Sequence, residues 1–525
     1  MDSLKQFFAQ WSWLMPALLV IACLIAIIVA YFRNNPLKHE RWFLVRRFIN
    51  WFPLGMTYAF FYMGRYNLNV CMTALGKKDD KPWMDNGDFG NIFAAGTVVY
   101  AFSFLLNGPL VDKIGGKKGI LIGGLGSSVA NILLGFLTYL MLAGKVQLVS
   151  GEGASVLKST SMVLGGVRIN LLVAFCILYG LNMFFQSYGA VSIIKVKAYW
   201  FHVRERGIFG AIFGTLISFG IFFAFDLGQG VIDVTKHGVE GGWWLPSLLR
   251  AAFVPAGTTI DATWAVFFVP AIVMTFWVIL DVLCIKDTPE EAGFPHLETH
   301  DASSGQMHIE LSTMDLLRKV FLSPLMLMAA AIELTSGVLR NGVYNWYKIL
   351  CKGSPEMGSV FITKNWGLLL CVFGIVGGFA GGMISDKFFQ SRRAPPVVMF
   401  CGFMFVMTIL MAVGLKMSPL LLGWSAIMIS MAVIGVHSLM SGTAAADFGG
   451  RKATATCSGI VDGFVYLGSG LQSLCLGYLT KFSWMWWPIF LMPFALMGMG
   501  VAMSMWRSLP DATRKYLQEV ENKTV

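Results

Sequence analysis

A helical membrane crossing needs about 20 largely apolar residues, and runs of that kind recur from one end of this chain to the other. They fall at 11–32, then at 49–75, 90–111, 119–142, 170–200, 207–232 and 263–285. After a polar interval they resume at 320–350, 365–388, 397–415, 420–446, 453–479 and 484–506. The interval 286–319 is the longest polar stretch; it holds Pro, Gly, Ser and acidic residues and no apolar stripe of its own. The pattern therefore predicts an all-α polytopic membrane protein of two six-helix halves, twelve core spans, with one extra transmembrane helix at the N-terminus. The expected units are 1–48, the extra helix and a basic connector; 49–285, the N-terminal half; 286–319, a cytoplasmic linker; 320–508, the C-terminal half; and 509–525, a cytoplasmic tail. The first span follows a weakly charged start holding Asp2 and Lys5 and has no small-residue cleavage site after it. It reads as a retained helix rather than a signal peptide.

Charge sets the orientation. Arg33, Lys38, Arg41, Arg46 and Arg47 precede the first core span, Lys113, Lys117 and Lys118 follow the second, and Arg204 and Arg206 follow the fourth. Arg392, Arg393, Arg451, Lys452, Arg507, Arg514 and Lys515 fall on the same side, which is thereby cytoplasmic. The start of the chain should face outward. The net charge of +11 comes largely from these clusters, so it reads as topology signal and contact with anionic lipid, with no nucleic acid as partner. Only 13% of residues are charged against 56% hydrophobic, which excludes an ordinary soluble fold. The nine Cys stand singly in apolar segments, with no metal-ligand spacing. No phosphate-binding loop, nucleophile elbow or dinucleotide signature occurs, so neither an enzyme nor an ATP-driven pump is expected, and no cofactor or metal. A monomer is expected.

An internal repeat places the chemistry. The segment GPLVDKIGGKK (108–118) is echoed by GMISDKFFQSRR (382–393), which sets Asp112 and Asp386 274 positions apart. Arg65 and Arg340, each well inside a span, stand 275 apart, so they occupy equivalent places in the two halves. A charge at membrane depth marks a functional site. Two guanidinium groups at one low-dielectric site repel unless an anion lies between them, and their planar forks suit phosphate or carboxylate oxygens. Tyr58, Tyr62, Arg65 and Asn69 share one helical face. The competing reading pairs each arginine with an intramembrane carboxylate: Glu333, Asp462 or Asp226. Glu333 lies seven residues before Arg340, about 10 Å along a helix and too far for a direct pair. Glu333 and Asp462 are therefore set aside as coupling or charge-balancing residues, Glu333 with the alternative of a proton or cation coupling site. Asp112, Lys117, Lys118, Asp386, Arg392 and Arg393 read as conformational residues that pair across helices at the cytoplasmic ends. His437 reads either as a proton relay or as a satisfied histidine between helices, the latter at least as common, and Trp243, Trp244, Trp484, Trp486 and Trp487 as interface belts.

The chain resembles the major facilitator superfamily, and within it the organophosphate:phosphate antiporters that carry glycerol-3-phosphate and hexose phosphates. Beyond the repeated loop motif, the likeness rests on YAFFYMGR (58–65), LRNGVYNW (339–346), WFHVRERG (200–207) and AAADFGGRK (444–452) followed by DGFVYLGSG (462–470). It covers about 49–507. The resemblance implies that Arg65 and Arg340 grip phosphate, that Tyr58, Tyr62 and Tyr466 assist, and that inorganic phosphate exchanges for a phosphate ester as the halves rock. It also suggests a bacterial inner membrane. This chain departs from the family at Tyr66 and Phe104, where lysines are usual, and at FGTLIS (213–218), where a histidine pattern is usual. The alternatives are a proton-coupled carrier of another organic anion and a transporter-like membrane receptor for a sugar phosphate.

Overall fold

The computed structural model describes residues 14–507 except 34, 75–83, 150–159, 203–204, 240–243, 256, 258–259, 298–317, 319–321, 353–354, 359 and 390–391. The long elements run in the order α1 Leu14–Arg33, α2 Arg41–Ala74, α3 Asn86–Ile114, α4 Gly116–Leu142, β1 Gln147–Val149, β2 Ser161–Leu164, β3 Val167–Asn170 and α5 Leu171–Trp200. Then follow α6 Arg206–Phe222, a π-helical segment Phe223–Leu227, α7 Gly228–Val234, α8 Trp244–Phe253 and α9 Ala265–Cys284. The second half holds α10 Pro324–Lys352, α11 Trp366–Phe388, α12 Ala394–Met417, α13 Pro419–Phe482 and α14 Trp486–Ser504.

Ten helical stretches among the described residues have the length and composition to cross a membrane. Helices α2 and α10 are long enough, at 34 and 29 residues, but are too polar to be among those ten. They are the helices that carry Arg65 and Arg340. Their polar positions, Arg65, Asn67, Asn69, Glu333, Arg340, Asn341 and Asn345, are nearly all below 5% exposed, so the polarity is turned into the protein and away from lipid.

Helix α13 runs 64 residues without a break, about 96 Å if straight. It doubles back instead. Ser430 donates to Tyr344 while Asn341, one turn earlier on α10, donates to Ser469. Two residues 39 apart on α13 thus meet one turn of α10, and α13 supplies two crossings, 419–439 and 455–482.

The chain leaves α4 into a small antiparallel meander, β1–β2–β3, that the apolar pattern does not predict. Gly165 and Gly166 both have positive φ, 56° and 83°, the turn geometry that matches hairpin twist. Leu164 then pairs Val167 and Ser161 pairs Asn170. Asn170 goes on to cap α5 by accepting from Val173 N at 3.1 Å.

Helix α1 is tied to the core at its C-terminal end. Tyr31 Oη donates to the Leu44 carbonyl at 3.0 Å and accepts from Arg47 Nε at 2.9 Å. Arg47 grips Glu205 through both oxygens at 2.9 Å, and His39 reaches the same carboxylate at 3.4 Å. Burial alone would raise the Glu205 carboxyl, but the bonds from His39 and Arg47 outweigh it and hold it down at about 2. One expectation about surfaces is corrected here: Trp487 is no belt residue, because it is fully buried and donates to the Gly342 carbonyl at 2.8 Å. Trp244 and Trp486 are exposed as a belt requires; Trp243 lies outside the described residues.

Candidate functional site

Arg65 comes from the middle of α2 and is 1% exposed. All three of its guanidinium nitrogens are engaged. Nε donates to Gln186 Oε1 at 3.0 Å, Nη1 to Tyr466 Oη at 2.6 Å and Nη2 to Tyr100 Oη at 2.7 Å. The charge also lies over the rings of Tyr62 and Tyr100, at 4.6 and 4.7 Å, contacts that ease its desolvation. The positioning shell is polar as well. Tyr179 donates to the Arg65 carbonyl at 2.9 Å, Asn182 to the Gly64 carbonyl at 2.9 Å, and Gln186 to Asn182 at 3.1 Å.

Arg340, 4% exposed on α10, is held differently. Its Nε and Nη2 have no hydrogen-bond partner although both atoms are buried. It lies over the Tyr466 ring at 5.3 Å, and Arg65 meets the same ring at 5.5 Å. Tyr466 is thus the neighbour the two arginines share, and it stands on the second crossing of α13, in the C-terminal half. Buried donors without acceptors cost about 1–3 kcal/mol each, more when charged, so Arg340 presents unmet demand for an anion.

Neither arginine has a carboxylate within ion-pair distance among the described residues. The three acids weighed as partners are engaged elsewhere. Asp226 accepts from the backbone N–H of Gly367 and Leu368 at 2.9 and 2.8 Å, Glu333 lies 3.2 Å from His437 Nδ1, and Asp462 accepts from Ser458 Oγ at 3.4 Å. Tyr62 reaches Arg65 through its ring, whereas Tyr58 stands one turn away, packed edge-on against Tyr62 at 5.6 Å.

The positions where the resemblance leads one to expect lysine now join the two halves. Tyr66 Oη donates to Asn341 Oδ1 at 3.0 Å, and Phe104 stacks on Tyr466 at 6.0 Å. Asn69 donates to Asn345 at 2.9 Å one turn farther out. The site consequently carries two guanidinium charges in an aromatic lining, with buried Asp462 one turn before Tyr466.

Both membrane faces are closed over it. On the side of the Lys and Arg clusters Asp112 bonds Lys195 Nζ at 2.9 Å within its own half, and reaches across to Thr456, accepting from N at 3.0 Å and Oγ1 at 2.7 Å. On the opposite side the π-helical segment turns Asp226 onto the N-terminus of α11, where free N–H groups favour an anion. Lys481 pairs with Asp85 at 2.9 Å and Asn86 donates to Thr480 at 3.3 Å. Gly90 lies against Gly477, whose Cα would stand 2.9 Å from an added Cβ, so α3 and the second crossing of α13 touch backbone to backbone there. The state is occluded.

The remaining motif residues divide. Lys117 does not pair with an acid side chain through its ammonium, which bonds the Val282 carbonyl at 2.8 Å; its backbone N–H donates to Asp287 at 2.7 Å. Burial pushes the Asp287 carboxyl above its usual range, against the pull of that N–H. Lys118 is exposed. Arg393 Nη1 donates to Ser385 Oγ at 3.2 Å, and Ser385 Oγ donates to the Arg392 carbonyl at 3.1 Å. The side chain of Asp386 lies outside the described residues. Among those residues no cluster of His, Cys, Asp or Glu is arranged to hold a metal ion.

Sequence reasoning missed Tyr100, Gln186 and Asn341. Gln186 and Asn182 gave a signal, as two amides one turn apart in an apolar span, and Asn341 directly follows Arg340. Tyr100 gave none beyond lying one turn before Phe104.

Comparison with known proteins agrees with this architecture. The model of the Major Facilitator Superfamily matches residues 54–473, a stretch that includes both arginines and both loop motifs. The glycerol-3-phosphate transporter of Bacillus subtilis (strain 168) is 26% identical over 441 residues, 81% of this chain and 85% of that one. The membrane sensor protein UhpC of Escherichia coli (strain K12) is 24% identical over 474 residues, covering 86% of this chain and 91% of its own. A probable hexose phosphate transport protein of Chlamydia trachomatis is 23% identical over 505 residues, covering 91% and 94%. Among solved structures, the transporter FucP in its outward conformation aligns with a TM-score of 0.53 at 12% identity, over 86% of this chain and 98% of that one. The xylose transporter XylE of E. coli, partially occluded and inward open, aligns with 0.55 at 13%, over 89% and 98%. Those two likenesses speak to fold alone. With its occluded site between two halves and a family match over most of its length, this multi-pass membrane protein is built as a transporter rather than an enzyme, and it belongs to the Major Facilitator Superfamily.

Proposed function

We propose that this chain is a secondary active transporter that exchanges an organic phosphate ester, a hexose phosphate or glycerol-3-phosphate, for inorganic phosphate by alternating access. The observation that carries the reading is the pair Arg65 and Arg340, buried and without a carboxylate, with two donors of Arg340 unused. A phosphate group supplies the missing acceptors, bridges the halves and neutralises both charges, which a neutral sugar does not. The names of the relatives support the same substrate class. In the mechanism, the phosphate bridges Arg65 and Arg340 beside Tyr466, whose hydroxyl turns to it. Opening to one face then requires breaking either the Asp112–Thr456 contact or the outer contacts of Asp226 and Asp85, never both at once. Arg65, Arg340 and Tyr466 bind phosphate oxygens, Tyr62 and Tyr58 line the cavity, and the Asp112, Lys117, Lys118, Asp386, Arg392 and Arg393 loops control the cytoplasmic opening. The protein works as a monomer in a bacterial inner membrane, with its linker at 286–319 and its tail at 509–525 in the cytoplasm.

The test is uptake of labelled glucose-6-phosphate and glycerol-3-phosphate into liposomes loaded with inorganic phosphate. Uptake that depends on internal phosphate is expected; uptake equal in phosphate-free liposomes would contradict exchange. A second reading, a transporter-fold sensor, is favoured by the naming of one relative as a membrane sensor. Saturable binding of either ester with no exchange would select it.

A further inference from the structure

Glu333 and His437 form a pair that the arginine site does not use. Glu333 is fully buried on α10, about 14 Å along the helix from Pro324 at the cytoplasmic end. Its Oε2 meets His437 Nδ1 at 3.2 Å, and its Oε1 is buried with no hydrogen-bond partner. The His437 side chain is 17% exposed, so the imidazole is the member of the pair that reaches the protein surface. A buried carboxylate with one oxygen unmet carries a desolvation cost that nothing among the described residues around it offsets except the His437 contact. The other ionisable groups nearby do not remove it. Cys401 on α12 lies within electrostatic reach of Glu333 but is no cation. Helix α14 carries no titratable side chain. The second crossing of α13 brings Asp462, Tyr466 and, at its outer end, Lys481. Arg340 is two turns farther along α10, and Arg65 and Tyr66 of α2 lie beyond it, on the cavity side.

We propose that Glu333 and His437 together form a proton-binding site of the C-terminal half. The pair shares its proton as a unit: with a neutral imidazole, Nδ1–H donates to the carboxylate, and one added proton leaves either imidazolium and carboxylate or carboxyl and imidazole. Its place favours coupling. The contact ties α10 to the first crossing of α13, while Gly337 and Gly468 let α10 touch the second crossing backbone to backbone at Val465 and Leu334. Proton and anion thus load one helix, at Glu333 and at Arg340. Proton binding stands on the pair itself; its coupling to transport rests on the exchange proposed above.

The experiment compares wild type with Glu333→Gln and His437→Gln in phosphate-loaded liposomes, with and without an imposed pH gradient. Wild-type ester uptake should respond to the gradient. Glu333→Gln should lose that response while retaining exchange at equal pH, which also shows that the variant is folded, and His437→Gln should weaken the response. A gradient response retained in Glu333→Gln, or absent from wild type, overturns the coupling. Infrared difference spectra of the purified proteins on acidification read the site without any transport. A protonated-carboxyl band present in wild type and missing from Glu333→Gln sustains the proton site even if no ester is exchanged. Identical spectra overturn it.

Discussion

Arg65 and Arg340 stand at equivalent positions of the two halves, 275 residues apart, yet their surroundings differ in kind. Arg65 directs all three nitrogens to Gln186, Tyr100 and Tyr466, and the helices behind it are stitched by Tyr179 and Asn182. Arg340 keeps two nitrogens without partners and leans on the ring of Tyr466. A repeat therefore preserves where a charge sits without preserving what satisfies it. The N-terminal half holds an arginine whose nitrogens are all met within the protein, whereas the C-terminal half holds one with two donors unmet.

The comparison breaks most sharply at Arg340. Arg340→Lys keeps the charge and removes the fork, and the loss of about 3 kcal/mol of charge-assisted bonding lowers phosphate affinity about 100-fold. Isothermal titration of the purified protein reads this. Because Arg340 makes no hydrogen bond within the protein through Nε or Nη2, the thermal midpoint of the ligand-free variant should not fall. Arg65→Lys should do both: affinity drops and the midpoint falls, since three internal bonds of about 1 kcal/mol or more each are lost. A midpoint as high as wild type would remove the contrast between the two sites.

Tyr466→Phe is a smaller change. It deletes the 2.6 Å bond to Arg65 and keeps the ring under both guanidinium groups, so affinity should fall about tenfold, the effect of one hydrogen bond to a charge. The smallest expected effect lies at the rim. Asp226→Asn weakens the cap on α11 by about 1 kcal/mol and should bias the protein toward opening outward, read as faster labelling of a cysteine introduced at the outer mouth with little change in phosphate affinity.

How much of this was legible in the sequence follows from what each residue responds to. The spans and the repeat are set by apolar length and by recurring short motifs, both local properties, and the major facilitator fold follows from them. Arg65 and Arg340 were legible because a charge in an apolar run stands out. Tyr100 was not, since an aromatic residue in a span looks the same whether its hydroxyl meets lipid headgroup or guanidinium. The partnering of Glu333 with His437 was equally hidden: the residues are 104 apart and meet only because α13 reverses on itself. The strands at 147–170 escaped because the signal, Gly165-Gly166 between short alternating segments, is weak beside the helical runs around it.

The most direct test of the central claim is the affinity of the purified protein for inorganic phosphate, measured by titration calorimetry in wild type, Arg65→Lys and Arg340→Lys. Two arginines gripping one phosphate predict saturable binding in wild type, lost in both variants, with the thermal midpoint lowered only by the change at Arg65. Phosphate binding that survives Arg340→Lys unchanged would contradict the account, because the unmet donors of Arg340 would then serve something other than the anion.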